Sequence, residues 1–417
     1  AYNLQLTAAS PILFPDRSFP PFGDRVMTKD RGLVLNANKN GSLLDEGVYT
    51  MRSGWETENL GKILTQDQVG VSFNAMTEQG SHNTADLLGI MMYAYGRKLL
   101  DKPETIDYLN REHFFKSCTQ SANTAMLGDF SAATEADLVP EVFDYRFMYD
   151  QLVAGSPTTW PANTYTFKKR FDQYGANPAG YWRSSNDNGT VMTARASSAE
   201  VEYIDAYHDR YVYSQSSPWR IDGKPFGPRV RRSLFFVKSP AAGVGPYVFL
   251  SDIFTNPTAQ PLAGNYLGLN SLFHVPADDT GDGSQAPWLV ETATNKLRTQ
   301  YATGPNLTIA PADPASIKVN AVKGLWTRQV HNLVPYPVFS LPPTVPAAFQ
   351  AAIYPDRAGA ATQVQVIRLA VRNMAGSLVT DNSEAAAVQV IFPGLGVKDV
   401  FFVAGKAGTR YVFGSIS

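Results

Sequence analysis

Two places in this sequence bring together side chains of the kinds that do chemistry on a ligand. His82 and Asn83 stand in Gly80-Ser81-His82-Asn83-Thr84, directly before the apolar run Ala85 to Leu100. An imidazole at the mouth of a buried strand can be presented to a ligand by the rigid sheet behind it. The plainer alternative is a strand-end histidine bonded to backbone. The second place is Phe143 to Trp182, where aromatic and basic residues alternate and include Tyr145, Trp160, Lys168, Arg170, Tyr181 and Trp182. Aromatic faces stack on sugar rings, and Lys or Arg complements negative charge on a ligand. Trp160, Arg170, Tyr181 and Trp182 are the candidate glycan contacts. The same composition also describes an exposed hairpin with a packed underside.

The elements that must position these groups are strands. Val48 to Ser53 alternate in strand fashion within GVYTMRSGW, which carries Arg52. Ala85 to Leu100 is apolar almost throughout and ends in Tyr95-Gly96-Arg97, a turn before another apolar pair. So short a run suits a buried strand or a buried helix, and its tyrosines and closing glycine favour a strand.

Taken together, G-x-Y-x-M-R-S-G-W and H-x-x-A-D-x-L-x-x-x-x-x-A-Y-G-R-x-L-L resemble the central β-domain of the heparinase II/III-like polysaccharide lyases and their alginate-lyase relatives. The resemblance runs from about Gly47 to about Thr124, roughly a fifth of the chain. It implies that His82 matches the first histidine of H-G-H, beside the scissile bond. Tyr108, 14 residues before Ala122, falls where the alginate-lyase relatives carry an active-site tyrosine; an ordinary sheet tyrosine is the other reading. The chemistry so implied is β-elimination at a uronate, in which the C5 proton is removed and the leaving O4 is protonated. Donors such as Arg52, Asn83 and His82 would neutralise the enolate-like charge, and Tyr108 and His82 would move protons.

The resemblance also implies departures. Zinc members of the family use three positions that are Thr84, Asp101 and Ala122 here. One carboxylate out of three will not hold zinc, which wants about four ligands, mostly His, Cys or carboxylate. Neither a metal nor any other cofactor is expected, with nearby His113 the one conceivable substitute. In the family a proline-punctuated arm, like residues 1–31 here, follows a large helical toroid. No toroid is read in these 417 residues. The expected partner is therefore a helical toroid subunit or cleaved N-terminal chain, besides an acidic polysaccharide or oligosaccharide.

Bulk composition narrows the classes further. Lys plus Arg is 36 against 37 Asp plus Glu, so bulk charge does not point to nucleic acid. No apolar run reaches the length of a membrane span, about 18 residues. Cys118 is the only cysteine, which rules out an intrachain disulfide and fits cytoplasm or periplasm equally. The resemblance favours a periplasmic or secreted protein. With 32 Gly, 28 Pro and 12% aromatics, the chain suits an all-β protein rich in turns.

Downstream, VEYIDAYHDRYVY, RVRRSLFFVK and YVFLSD read as strands, and the last two resemble paired strands of the same family. His208 reads as an exposed strand histidine, with a substrate contact as the other reading. ADDTGDG, around Asp278, Asp279 and Asp282, lacks a calcium loop's closing glutamate and reads as a surface turn. Beyond it, runs near residues 307–309, 334–341, 361–371, 387–392 and 400–403 suggest a β-sandwich, with the proline-bearing second run an edge strand at best. There is no G-x-S-x-G elbow, P-loop or dinucleotide fingerprint. The expected organisation is an extended arm over 1–31, a large central antiparallel β-sandwich of supersandwich type over 32–287, and a smaller C-terminal β-sandwich over 288–417. The expected function is the β-part of a uronan lyase; the alternative is a non-catalytic glycan-binding or structural β-protein derived from such lyases.

Overall fold

A computed structural model of the chain describes residues 41–43, 48–53, 67–75, 86–102, 122–127, 190–208, 229–238, 241, 243–257, 269–276, 287–325, 333–342, 344–357, 362–406 and 408–414. The described residues are all-β in architecture, built from antiparallel sheets as the composition and strand patterns imply. Strands β1 (Gly41–Leu43), β2 (Val48–Arg52), β3 (Val69–Asn74), β4 (Ile90–Ala94) and β5 (Arg97–Leu100) form the first sheet in sequence order. The run read as a buried strand is thus two strands. The hinge between them is Tyr95-Gly96, with φ of 51° and 93°. Two successive positive φ values match the right-handed twist of a hairpin, and glycine takes the second without strain.

Strand β6 (Ala125–Leu127) belongs to a small sheet described below. Strands β7 (Val191–Ser197), β8 (Val201–His208), β9 (Arg229–Val237) and β10 (Tyr247–Thr255) form half of an eight-stranded middle sheet. After β11 (Leu269–Leu272), strands β12 (Trp288–Glu291), β13 (Lys296–Thr299) and β14 (Asn306–Pro311) join its far side. Strands β15 (Lys318–Leu325) and β16 (Leu333–Ser340) complete the small sheet, in the order β15-β16-β11-β6. Strand β17 (Ala347–Asp356) then inserts between β14 and β10 and closes the middle sheet. That single hydrogen-bonded sheet takes strands from both sides of residue 288.

The proline-bearing run is not an edge strand. Strand β16 pairs with β15 along its length and with β11 only over Val338 to Ser340. Pro335 and Pro337 fall in the half beyond β11, where one side of the strand needs no ladder donor, so an interior strand tolerates them.

Strands β18 (Gln365–Leu369), β20 (Ala385–Phe392) and β21 (Val397–Ala404) form a three-stranded outer sheet, and β19 (Val371–Asn373) pairs with β22 (Tyr411–Phe413). Alternation along the middle strands assigns each face a different core. One face, with Leu234, Phe236, Leu250 and Ile353, packs on Met51, Phe73 and Met92 of the first sheet and Phe339 of the small sheet. The other, with Tyr247, Phe249 and Tyr354, packs on Val390, Phe392 and Phe401 of the outer sheet. Phe249 and Phe401 stack at 4.5 Å across that seam. A sheet buried on both faces loses the clean polar alternation of a half-solvated one. His208 follows from this: it is buried rather than exposed, because it sits on the inner face at the end of β8, opposite Val230 of β9.

Candidate functional site

The first sheet has two unlike faces. Tyr49, Met51, Val71, Phe73, Ile90 and Met92 point into the core. The alternate residues place Thr50, Arg52, Ser72, Asn74, Met91 and Tyr93 on the opposite face, since side chains of a strand alternate. Register aligns Thr50, Ser72 and Met91 in one row, and Arg52, Gly70, Tyr93 and Lys98 in the next. Gly70 leaves the Arg52–Tyr93 row without a side chain at its second strand.

This face is polar yet buried, so its groups must find partners. The hydroxyls of Thr50 and Ser72 are 2.8 Å apart, and Arg52 Nη2 donates to Gln68 Oε1 at 2.6 Å. At the end of the sheet the polarity becomes ionic. Lys102 Nζ donates to Asp86 Oδ2 at 2.6 Å with both side chains almost fully enclosed, and Asn74 Nδ2 donates to Asp86 Oδ1 at 2.9 Å. Lys98 Nζ lies 3.4 Å from Asp101 Oδ2, while Asp101 Oδ1 accepts the Lys102 backbone N–H at 2.9 Å. Asn123 closes the network: its side chain donates to the Asp101 carbonyl at 2.7 Å and accepts the backbone N–H of His274. His274 in turn stacks on Tyr336 at 4.0 Å between ring centres.

The hairpin tip beside this face is held from the middle sheet. Arg97 lies over the Tyr301 ring at 3.6 Å, and Arg357 lies 4.5 Å over the Tyr95 ring. Burial, with Tyr354 close by, pushes the Tyr95 hydroxyl up to about 12 against the opposing pull of Arg357.

Of the residues singled out for function, the structure describes Arg52, a buried member of this face on β2. His82, Asn83, Tyr108, Trp160, Arg170, Tyr181 and Trp182 lie outside the described residues, as do Thr84, His113, Asp278, Asp279, Asp282 and the arm 1–31. Of the positions suggested for zinc, Asp101 and Ala122 are described. Ala122 has no donor and Asp101 is already engaged by Lys98 and Lys102. Among the described residues, no cluster of three His, Cys, Asp or Glu could hold an ion. No described helix is long and apolar enough to cross a membrane.

The ionic end of the face was not legible in the sequence. Asp101-Lys102-Pro103-Glu104 reads as a charged turn, yet Asp101 and Lys102 are buried. The available signal was Asp86, a lone carboxylate opening an otherwise apolar run, which calls for a buried cation somewhere in the chain.

No family model and no curated protein matches the sequence. Solved structures do. The chain is similar to the heparan sulfate lyase HepC from Pedobacter heparinus, with a TM-score of 0.60 and 13% identity over 98% of this chain and 53% of that one. It is similar also to a heparinase III (BT4657 gene product), at a TM-score of 0.58 and 12% identity over 95% of this chain and 51% of that one. The crystal structure of another heparinase III gives a TM-score of 0.56 and 11% identity, over 97% and 53%. The chain thus spans about half the length of the structures it matches. At such identities the likeness is one of fold: the described residues have an all-β architecture like that of a domain of the heparinase-type structures.

Proposed function

We propose that this chain is the β-part of a polysaccharide lyase that cleaves a uronic-acid-containing polysaccharide by β-elimination, outside the cytoplasm, in the periplasm or secreted. The single observation that carries the reading is the fold likeness to heparan sulfate lyase structures over nearly the whole chain. The polar face of the first sheet supports it, because Arg52 shares that face with the Asp86–Lys102 pair, and Asp86 follows His82-Asn83-Thr84 by two residues.

In this reaction a base removes the C5 proton, the electron pair forms the C4–C5 double bond, and the C4–O4 bond breaks as O4 takes up a proton. The C5 proton is acidic only because a carboxylate is attached, so the developing charge needs donors. His82 and Asn83 are assigned to that stabilisation, and His82 and Tyr108 to the proton transfers; Arg52, expected as a further donor, is buried and bonded to Gln68 and so supports the sheet face rather than meeting the sugar. Trp160, Arg170, Tyr181 and Trp182 are assigned to holding the sugar chain. A helical toroid supplies the opposing wall of the cleft.

The test is His82→Ala in the active assembly. Loss of a catalytic donor or base costs on the order of a hundredfold or more in rate. The variant should lose the ultraviolet absorbance of the unsaturated uronate product while keeping its thermal transition. Full activity in His82→Ala would remove the residue from the mechanism. Glycan binding without cleavage by the native assembly would favour a non-catalytic glycan-binding protein.

A further inference from the structure

Arg232 and Asp252 are polar members of the paired runs RVRRSLFFVK and YVFLSD, and they stand directly opposite each other on β9 and β10. Both side chains are fully buried. Arg232 Nε donates to Asp252 Oδ1 at 2.6 Å and Nη2 donates to Oδ2 at 2.8 Å, a two-pronged fork. The Ser271 hydroxyl, from the small sheet, donates to the same carboxylate at 2.6 Å. Charge neutralisation needs no more than this. The remaining nitrogen, Nη1, nevertheless leaves the middle sheet and donates to two main-chain carbonyls, Leu88 at 2.9 Å and Asn123 at 2.8 Å.

Those carbonyls stand just before strands of two other sheets. Leu88, at φ 58°, is in the turn that joins Asp86 to β4, and its N–H donates to the Asn74 carbonyl at 2.8 Å. Asn123 leads into β6, its carbonyl also accepts the Ile90 N–H at 3.0 Å, and its side chain holds Asp101 and His274. The chain leaving the Asp86–Lys102 pair and the chain passing Asp101 therefore meet at one guanidinium. Only a planar cation with divergent donors can do this; a lysine ammonium brings all its donors to one point.

We propose that Arg232 is a positioning residue for an acidic-sugar site on the polar face of the first sheet: it touches no sugar, but sets the turn at Leu88 and the strand start at Asn123 against the rigid middle sheet. This rests on the lyase reading above and deepens it. Register and charge fix the consequence. With Leu88 and Asn123 held, Asp86, Lys102, Asp101 and Asn74 keep one arrangement; without the hold, that end of the face moves while β9 and β10 stay paired.

The experiment compares Arg232→Lys, which keeps the charge, with Arg232→Met/Asp252→Leu, which removes the buried pair without leaving a lone charge. Arg231→Lys, one residue along β9 on its other face, is the control. Amide hydrogen exchange by nuclear magnetic resonance reads the result without any substrate. Expected in both test variants is exchange at least tenfold faster at Leu88, Ile90 and Leu272, with amides of β9 and β10 unchanged and the control like the native protein. On a uronan that the native assembly cleaves, kcat should fall at least tenfold with KM within about twofold. Exchange that rises evenly across β9, β10 and β4, or failure of both variants to fold, would make Arg232 a residue of fold stability alone and overturn the proposal. Unchanged exchange at Ile90 would overturn it too. Absence of cleavage by the native assembly would instead fail the lyase reading, and the exchange pattern would still decide whether Arg232 holds these two carbonyls.

Discussion

Lys102→Met is the perturbation with the clearest expected magnitude. The Lys102 ammonium sits 2.6 Å from Asp86 Oδ2, and the two side chains are 0% and 2% exposed. Methionine keeps the length and apolar stem of the lysine but takes away the charge that neutralises Asp86. Breaking a buried pair on one side leaves a carboxylate in a medium that solvates it poorly, at a cost of about 3–5 kcal/mol. Removing both partners avoids that penalty. Asp86→Leu/Lys102→Met keeps the bond from Asn74 Nδ2 to the backbone carbonyl at position 86, which is 3.2 Å long. The double variant is therefore expected to be more stable than the single one by about 2 kcal/mol or more, even though it carries an extra substitution. Equilibrium unfolding in urea, on native protein and the three variants of the cycle, measures this directly. A loss below about 1 kcal/mol in Lys102→Met, or a double variant no better than the single one, would refute the claim that this ion pair is enclosed.

Three further outcomes follow from other parts of the fold. A Cβ at Gly405 would overlap the Ser383 carbonyl oxygen, which is backbone and cannot step aside, so Gly405→Ala should cost about 1–3 kcal/mol by the same urea assay. Alkaline pH should destabilise the protein through Tyr95: its folded value of about 12 lies above the ordinary 10.0, so the folded state holds the proton more tightly. Stability is then full below pH 10 and falls as pH rises to about 12, by no more than about 3 kcal/mol and less where solvent screens the hydroxyl. Tyr95→Phe should show a flatter decline in midpoint over that window. Treatment with a chelator should leave the thermal transition in place, because Ala122 offers no donor at the position where an imidazole would be needed; a large fall in stability would point to a metal held elsewhere.

Much of the architecture was legible because strands announce themselves locally. Val48–Arg52, Arg229–Val237 and Tyr247–Thr255 were readable from alternation and from β-branched and aromatic residues. Less legible was anything decided by a partner far away in sequence. His208 looks exposed beside Asp209 and Arg210, but the inner face of a doubly covered sheet buries it. Pro335 and Pro337 look like marks of an edge strand, and only the short reach of β11 makes an interior position tolerable. Lys102 looks like part of a turn, since its carboxylate partner lies 16 residues earlier. Arg52 was visible as a candidate because its strand is; its burial and its bond to Gln68 depend on packing that no local pattern encodes.

The most direct test of the central claim is the ultraviolet absorbance of uronan solutions given the full native protein. Heparan sulfate, hyaluronan and alginate serve as separate substrates, and His82→Ala in the same protein is the comparison. Expected is a steady rise in absorbance on at least one uronan, from the new C4–C5 double bond, with the rise lost in His82→Ala. No rise on any of the three, from a protein that still binds the glycan, would contradict the account.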